Sequence, residues 1–218
     1  MIEQVYHRLR DHYGSRRERP GAAFDALLEV LLSPNAQREN VDRAIDNLRE
    51  AGLLDPRALA EAPADELAAL IEPAGNARRK AARLRNLLRY VVERHDGSLA
   101  TMFATDVETL RTELVAINSL GRETADEILL IAGHVPIFVV DLHAHRVFKR
   151  HGWTEFDADG EALRQQVESG LERDAAVLAE FHELIARVGR EHCRKTPECE
   201  GCPLAELLPE GGPLEPAC

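Results

Sequence analysis

Residues 114–150 read LVAINSLGRETADEILLIAGHVPIFVVDLHAHRVFKR. Leu114–Ile117 ends an apolar helical pattern, Asn118–Gly121 has the composition of a tight turn, and Arg122–Ile131 begins a second helical pattern. In such a turn the first backbone N–H groups of the second helix lack intrahelical partners, so with the helix dipole they can bind a phosphate. The alternative to a phosphate-binding hairpin is an ordinary corner between two helices, in which Gly121 only ends the first helical pattern.

The segment Val135–Val140, with the sequence VPIFVV, interrupts the helical pattern. Its β-branched and aromatic residues favour a strand, but nothing else in the chain offers a partner strand for its backbone. We therefore expect a short, buried, extended connection that leads to Asp141 at the start of the next helix. A carboxylate at that position is predicted to be a helix N-cap.

The rest of the chain is typical of a helical protein, since 44% of its 218 residues are hydrophobic and only 5% are aromatic. Helical periodicity recurs in many segments, and Thr105-x-x-Glu108 matches a capping box that would start one helix. No apolar run reaches membrane-spanning length, and the N-terminus has no signal-peptide core. We therefore expect a cytoplasmic protein that does not bind a membrane.

The net charge of −11 argues against nucleic-acid binding, but the charge is unevenly distributed. Between Asn76 and His95, seven positive residues oppose Glu93 alone. Two further basic groups follow along the chain. The second group contains Arg146, Lys149 and Arg150, and the third contains Arg187, Arg190, Arg194 and Lys195. Each group is either a solvated helix face or part of a DNA-facing surface, and the sequence leaves both open.

The hairpin and the residues after it resemble the endonuclease III superfamily of helix-hairpin-helix DNA glycosylases, the HhH-GPD superfamily. That family's pattern is L-P-G-V-G-R-K-T-A, followed by V-D-T-H. The matching residues here are Leu120-Gly121-Arg122, Thr124-Ala125, Val140-Asp141 and His143. Upstream, residues 31–36 (LLSPNA) resemble the family's L-L-S-A-Q-A, and Gly75 and Lys80-Ala81 also match. The resemblance covers nearly the whole chain after Phe24.

The resemblance implies an all-α fold with two helical domains flanking a cleft. Residues 24–133 would form a helical bundle with the helix-hairpin-helix, and residues 1–23 plus 134–218 a second helical domain with a cysteine loop. Asp141 would lie at the junction of the two domains, where ligand clefts commonly form. A monomer is expected.

The resemblance also implies a base-excision DNA glycosylase in which Asp141 is the catalytic carboxylate. Such a group stabilises the positive charge that develops on the sugar and can activate water, as in glycoside hydrolysis. N-capping alone is the alternative role of Asp141, and the two roles are compatible. The implied partner is double-stranded DNA with a damaged base, at the nucleoid in a prokaryote, and no nucleotide cofactor is expected. The implied DNA-binding residues are Asn35, Asn76, Lys80, Ser119, Leu120, Gly121, Arg122, Glu123, Thr124 and His143.

Glu123 departs from the family pattern, because it replaces the lysine that forms a Schiff base in endonuclease III. A carboxylate cannot form an imine, so we expect a monofunctional glycosylase with weak or absent lyase activity. Residues 123–126 (ETAD) are also similar to a subgroup associated with alkylated purines. A surface charge at a helix N-terminus, which the dipole favours, is the alternative role of Glu123. The alternative functions are a non-catalytic helix-hairpin-helix DNA-binding protein and a weak abasic-site lyase.

Three more positions differ from the family. Ser119 stands where the hairpin has its first glycine. Asn35 replaces a glutamine that the family inserts into the DNA stack beside the flipped base, and Asn76 replaces an apolar wedge in the second insertion loop. An ordinary polar loop residue is the alternative for each asparagine.

The four cysteines lie near the C-terminus with the spacing Cys193-x5-Cys199-x2-Cys202-x15-Cys218. The family pattern is C-x6-C-x2-C-x5-C around a [4Fe–4S] cluster, and Leu208 occupies the position of its fourth cysteine. The resemblance implies a structural [4Fe–4S] cluster with Cys218 as the replacement fourth ligand. Zinc, or a site that has lost its metal, is the alternative.

Overall fold

The computed structural model describes residues 1–15, 23–155 and 157–214. In these residues the regular structure is helical, as predicted, and β pairing is limited to one isolated bridge between Cys193 and Pro197. The α-helices are α1 (Ile2–Tyr13), α2 (Ala23–Leu32), α3 (Arg38–Glu50), α4 (Pro56–Glu61), α5 (Ala64–Leu70), α6 (Ala77–His95), α7 (Leu99–Phe103), α8 (Val107–Ala116), α9 (Arg122–Glu127), α10 (Leu142–Arg150), α11 (Gly160–Gly170) and α12 (Ala175–Glu191). Among the described helices, none has both the length and the apolar character needed to cross a membrane.

The chain divides into two compact units. The described residues 23–133 form one, which we call the central unit, and residues 1–15 with 134–214 form the other, which we call the terminal unit. Each unit has its own buried apolar residues, so each has its own core.

In the central unit, the 19-residue helix α6 packs against α2, α4, α5 and α7. Its buried stripe contains Leu84, Leu87, Leu88 and Val91, as the helical spacing of these residues predicts. A short 3₁₀ turn, Glu72–Ala74, precedes α6.

Helix α8 begins one residue later than the capping-box pattern predicts. The N-cap is Asp106, whose carboxylate accepts a hydrogen bond from the backbone N–H of Thr109 at 3.0 Å. The prediction of Thr105 as the cap was therefore wrong. An aspartate one position later offers a charged acceptor to the same helix terminus, where the dipole favours negative charge.

Helices α8 and α9 form the predicted hairpin, and a buried ion pair joins them. The Nε and Nη2 atoms of Arg111 lie 2.6 and 3.0 Å from the two carboxylate oxygens of Asp126. This two-point contact fixes both the distance and the orientation of the helices beside the turn. Helix α9 continues as a π-helical turn, Ile128–Ala132.

In the terminal unit, α12 packs against α1 and α10. Tyr6 of α1 meets the ring of Phe181 edge-on, with 6.0 Å between centroids, and its hydroxyl donates to Glu180. Contacts from α1 to α12 therefore join the beginning of the described chain to its last long helix.

The segment Val135–Val140 contains no helix and has no strand partner among the described residues, and its central residues are buried. It begins with a tight turn at Pro136, where the backbone N–H of Ile137 donates to the carbonyl of Val135 at 2.8 Å. The backbone N–H of Phe138 donates to the carboxylate of Glu168 on α11 at 2.8 Å. Arg164 of the same helix pairs with Glu168 at 2.9 Å. The prediction of a buried connection that leads to Asp141 is confirmed, although the turn at Pro136 interrupts the expected extended conformation. A side chain supplies the hydrogen bond that a partner strand would otherwise provide.

Candidate active site

Asp141 is the N-cap of α10, as its position after the extended segment predicts. Its Oδ1 accepts a hydrogen bond from the backbone N–H of Ala144 at 2.7 Å. The buried segment before it and the helix after it therefore hold this carboxylate in one orientation. Only 12% of its side chain is exposed.

His182 of α12 is the second neighbour of this carboxylate. Its Nε2 lies 3.7 Å from Oδ2 of Asp141, and its side chain is 15% exposed. Burial raises the pKa of Asp141, but His182 and the N–H of Ala144 outweigh burial, so the pKa of Asp141 lies below its usual value. The group is therefore an ionised carboxylate at neutral pH, held in a largely buried position.

His143 lies in the first turn of α10, against the backbone of α12. A Cβ atom at Gly189 would lie 2.2 Å from Nδ1 of His143, so only a glycine leaves room for this ring. Burial lowers the pKa of His143, the charge of Asp141 opposes this, and the nearby Arg146 lowers the pKa further, so that it lies below its usual value. His143 is consequently a neutral imidazole at neutral pH, and its Nδ1 lies 3.1 Å from Nη2 of Arg146.

Two residues of the second basic group bind backbone carbonyls of the terminal unit. Arg146 contacts the carbonyl oxygens of Gly189, at 3.1 Å, and Cys193. Arg150 is buried and donates to the carbonyls of Arg194 and Lys195 at 2.5 and 2.8 Å. The two arginines therefore have a structural role, which is to hold the cysteine loop on α10. Because Arg150 is buried, it does not belong to an exposed DNA-facing surface, whereas Arg146 is partly exposed.

Cys193, Cys199 and Cys202 line one small cavity together with Arg150 and His151. An Nη atom of Arg150 lies 3.5 Å from Sγ of Cys193. Burial is the main cause that raises the pKa of both Cys199 and Cys202. Thiols of this spacing suit iron–sulfur or zinc chemistry, but the described residues contain no group of three or more His, Cys, Asp or Glu side chains placed to hold a metal ion. Cys218, the predicted fourth ligand, lies outside the described residues.

The hairpin turn lies in the central unit, and its unusual backbone conformation is at Ser119 rather than at Gly121. Ser119 has φ of 70°, in the left-handed region that favours glycine. Gly121 has φ of −103°, and a Cβ placed on it would meet no atom within 4 Å. The described fold alone therefore does not require glycine at position 121, whereas it strains position 119.

The exposed side of the turn is formed by Ser119, Gly121, Arg122 and Glu123, while Leu120 is buried and Thr124 is partly exposed. Gly121 is the N-cap of α9 and has no side chain to accept from the first-turn N–H groups. Burial lowers the pKa of the Arg83 guanidinium on α6. Glu123 lies close enough to raise that pKa, so it partly opposes the effect of burial. The turn therefore presents backbone N–H groups to solvent, with charged side chains beside them.

Asn35 and Asn76 are both exposed, and both have left-handed backbone conformations, with φ of 56° and 50°. Lys80 lies between their loops but differs from the surface position expected for a phosphate contact. Its side chain is buried, with 4% of the residue exposed. Its Nζ donates to the carbonyls of Leu32 and Ala74 at 2.6 and 2.7 Å.

His182 and Glu168 were missed from the sequence. His182 follows Leu178 by four positions and precedes Ile185 by three, so its helical spacing places it beside the buried stripe of α12. That spacing was the available signal, although it cannot identify Asp141 as the partner. For Glu168 there was no such signal, because a glutamate that accepts a hydrogen bond from a distant backbone N–H has the same sequence pattern as a glutamate on the surface.

The HhH-GPD superfamily model, described as a base excision DNA repair protein, matches residues 28–173. A putative DNA repair glycosylase of Methanocaldococcus jannaschii is 36% identical over 210 residues, which are 95% of this chain and 95% of that protein. The matched region contains the hairpin, the extended segment and Asp141.

Two solved structures share the fold. One is a trapped endonuclease III–DNA covalent intermediate, with a TM-score of 0.75, 24% identity and 97% of each chain covered. The other is the 3-methyladenine DNA glycosylase MagIII of H. pylori bound to 1,N6-ethenoadenine, with a TM-score of 0.74 and 23% identity, covering 87% of this chain and 97% of that one. At these sequence identities, the similarity to the two structures shows a shared fold and nothing further.

Proposed function

The chain belongs to the HhH-GPD superfamily of base excision DNA repair proteins, and from this membership we propose that it is a monofunctional DNA glycosylase that uses Asp141 to release a damaged base. One observation carries the proposal. Asp141 is held at a helix N-terminus with a lowered pKa, largely buried, and is therefore ionised when the sugar develops positive charge. Water is the nucleophile, because Glu123 occupies the position of the Schiff-base lysine.

The proposed binding residues act in three ways. The N–H groups after Gly121 bind a DNA phosphate, with Ser119, Leu120, Arg122 and Thr124 shaping the turn. Asn35 and Asn76 fill the gap that the extruded nucleotide leaves in the duplex. His143 lies two positions after Asp141 in the sequence. As a neutral imidazole, it offers a hydrogen bond to the DNA backbone near the reacting sugar.

An alkylated purine is the proposed substrate class. The similarity of residues 123–126 to the alkylpurine subgroup supports it, and so does the absence of the lysine needed for strand cleavage. Glu123 can remain ionised in this role, because it lies at the start of α9, where the helix dipole favours a negative charge.

A [4Fe–4S] cluster bound by Cys193, Cys199, Cys202 and Cys218 is the proposed cofactor. When bound, the cluster would staple the C-terminal segment, and no catalytic step requires it. Anaerobic purification followed by iron and sulfide analysis tests this. About four irons per chain, lost when Cys202 is replaced by serine, supports the cluster; stoichiometric zinc or no metal contradicts it.

The activity is tested with duplexes that carry alkylated adenine, thymine glycol, uracil or a G·T mismatch, followed by alkali to cleave abasic sites. We expect base release from at least one duplex, and Asp141→Asn should lower the rate by about 100-fold or more. Asparagine also caps helices, so this variant keeps the fold. If Asp141→Asn releases the base as fast as the wild type, the assigned chemistry is wrong.

Borohydride trapping separates the proposed hydrolase from a lyase. We expect no covalent protein–DNA adduct, with a bifunctional endonuclease III as the positive control. An adduct would support an abasic-site lyase instead. Duplex binding without base release from any lesion would support a non-catalytic DNA-binding protein.

A further inference from the structure

We propose that Lys80 is a positioning residue that joins the Asn35 loop (residues 33–37) and the Asn76 loop (residues 75–76), so that the two asparagines enter DNA as one unit. The inference rests on the proposed function, because it concerns how the gap-filling side chains are held. It gives Lys80 a role that involves no contact with DNA.

The geometry lies entirely within the central unit. Lys80 is in the first turn of α6, and its ammonium donates to Leu32 at 2.6 Å and to Ala74 at 2.7 Å. Leu32 is the last residue of α2, and Ala74 is the last residue of the 3₁₀ turn. A single cation therefore binds the C-terminal carbonyls of two separate elements, where helix dipoles favour positive charge.

Each of these carbonyls lies directly before one of the loops. Asn35 follows Leu32 by three positions, and Asn76 follows Ala74 by two. The backbone N–H of Lys80 also donates to the carbonyl of Asn76 at 3.0 Å. The backbone bond to Asn76 is the first hydrogen bond of α6 and does not depend on the lysine side chain. The Lys80 ammonium therefore binds one carbonyl directly before each loop.

The strained conformation of both asparagines requires such support. Residues other than glycine occupy the left-handed region at a cost, and they remain there only when surrounding contacts determine the conformation. Asn35 and Asn76 both occupy it. Two exposed asparagines with strained backbones follow carbonyls that are bound by one buried ammonium, so they form a preorganised pair rather than two independent loop residues.

A buried lysine is otherwise unfavourable here. Burial lowers the pKa of Lys80, and the nearby Arg83 lowers it further. Lysine is rarely this buried unless its charge is paired or hydrogen-bonded, and the two carbonyls supply that compensation. A methionine of similar length would fill the same space without the charge, but it would leave both carbonyls without this donor.

The test compares Lys80→Met with the wild type under single turnover, on two substrates. One is a duplex in which the damaged base faces its normal partner, and the other places the same base opposite an abasic site, where extrusion requires little wedge action. We expect Lys80→Met to slow release from the paired duplex by roughly 10- to 100-fold and from the second substrate by less than about threefold. Lys80→Arg, which keeps a cation and several donors, should restore most of the lost rate.

Asn47→Ala is the matched control for stability. The side-chain amide of Asn47 donates to the carbonyl of Leu70 at 2.8 Å, which is a similar side-chain contact to a helix end but does not involve Leu32 or Ala74. We expect this variant to lower the thermal midpoint while leaving the ratio of the two rates unchanged. The inference is overturned if Lys80→Met slows both substrates equally, or if Asn47→Ala changes the ratio as much as Lys80→Met does.

A double-mutant cycle keeps the inference testable if Lys80→Met does not fold. Because the two asparagines are proposed to act as a unit, Asn35→Ala combined with Asn76→Ala should be no slower than the slower single variant. Additive effects would overturn the coupling. Failure of the wild type to release any base would instead contradict the proposed function, so the two failures are distinguishable.

Discussion

The Nε2 atom of His182 lies 3.7 Å from Oδ2 of Asp141, and this contact offsets the effect of burial on the carboxyl group. The two residues come from different helices, α12 and the N-cap of α10. The lowered pKa of the candidate catalytic group therefore depends in part on a side chain distant in sequence.

Replacing His182 with alanine should raise the pKa of Asp141, because burial then acts with less opposition. In the wild type the acidic limb of kcat/KM is expected below the usual aspartate value of about 3.9, and in His182→Ala it should move to higher pH. A pH–rate profile measures the shift. His7→Ala, at an exposed histidine of α1, is the control and should leave the limb unchanged; an unshifted limb in His182→Ala contradicts the assigned contact.

The same pKa shift affects stability. Since the pKa of Asp141 is lowered on folding, its contribution is present above the unfolded-state value and is lost as the pH falls through the folded-state value. Urea denaturation at pH 7 and near pH 3 should therefore show a smaller pH dependence for Asp141→Asn than for the wild type. Equal pH dependence in the two proteins would contradict this contribution.

Ser119→Gly should stabilise the protein by about 0.5–1 kcal/mol, because glycine adopts the left-handed conformation without steric cost. The gain is limited by the greater backbone entropy of glycine in the unfolded chain. Chemical denaturation measures the change. A loss of stability in this variant would show that the serine hydroxyl contributes more than its backbone conformation costs.

Gly121→Ala should change stability little, since φ is −103° and no atom lies within 4 Å of the added Cβ. Its affinity for duplex DNA should nevertheless fall, because a methyl group at this N-cap hinders the approach of a phosphate. Denaturation and a binding titration at fixed salt separate the two effects. Unchanged affinity would exclude close phosphate contact at this glycine.

Gly189→Ala should lower stability by about 1–3 kcal/mol, because its Cβ would meet the ring of His143 at 2.2 Å. Alanine would otherwise favour the interior of α12, so a loss reports the clash rather than helix propensity. Gly160→Ala is the matched control, since the nearest atom to its Cβ is 3.5 Å away. Similar stabilities for the two variants would contradict the close packing of His143.

Glu168→Ala should lower stability by about 1–3 kcal/mol, because the N–H of Phe138 would lose its acceptor in a buried segment. Glu161→Ala is the control, since Glu161 also binds Arg164 but does not bind Phe138. Denaturation should show the larger loss for Glu168→Ala. Equal losses of stability in the two variants would show that the effect comes from the lost ion pair with Arg164 and not from the N–H of Phe138.

The helices, the hairpin and the buried connection before Asp141 could be predicted because each depends on local spacing or on the residues next to it. The N-cap of α8 was placed one residue too early, because Thr105 and Asp106 are both good caps and the competing hydrogen bonds decide between them. Boundaries at this scale depend on side-chain geometry that a pattern does not contain.

The burial of Lys80 was missed although its spacing contains a signal. Lys80 precedes Leu84 by four positions and Leu87 by seven, so it belongs to the buried stripe of α6. Its membership in a run of positive residues favoured a surface position, and only the two carbonyls beside its ammonium reverse that expectation. The partner of a buried charge is set by tertiary contacts between distant segments, which explains why the pairing of His182 with Asp141 was also missed.

The pairing of α1 with α12 has a consequence for biosynthesis. Tyr6 and Glu180 are separated by 174 positions, whereas the central unit is a continuous segment of chain. At about 5–20 residues per second, a ribosome needs roughly 10–35 s to make that interval. Until α11 and α12 are made, the apolar face of α1, with Ile2, Val5, Tyr6 and Leu9, has no partner helix and is open to chaperones. The central unit has its full sequence before either of these helices and can fold first.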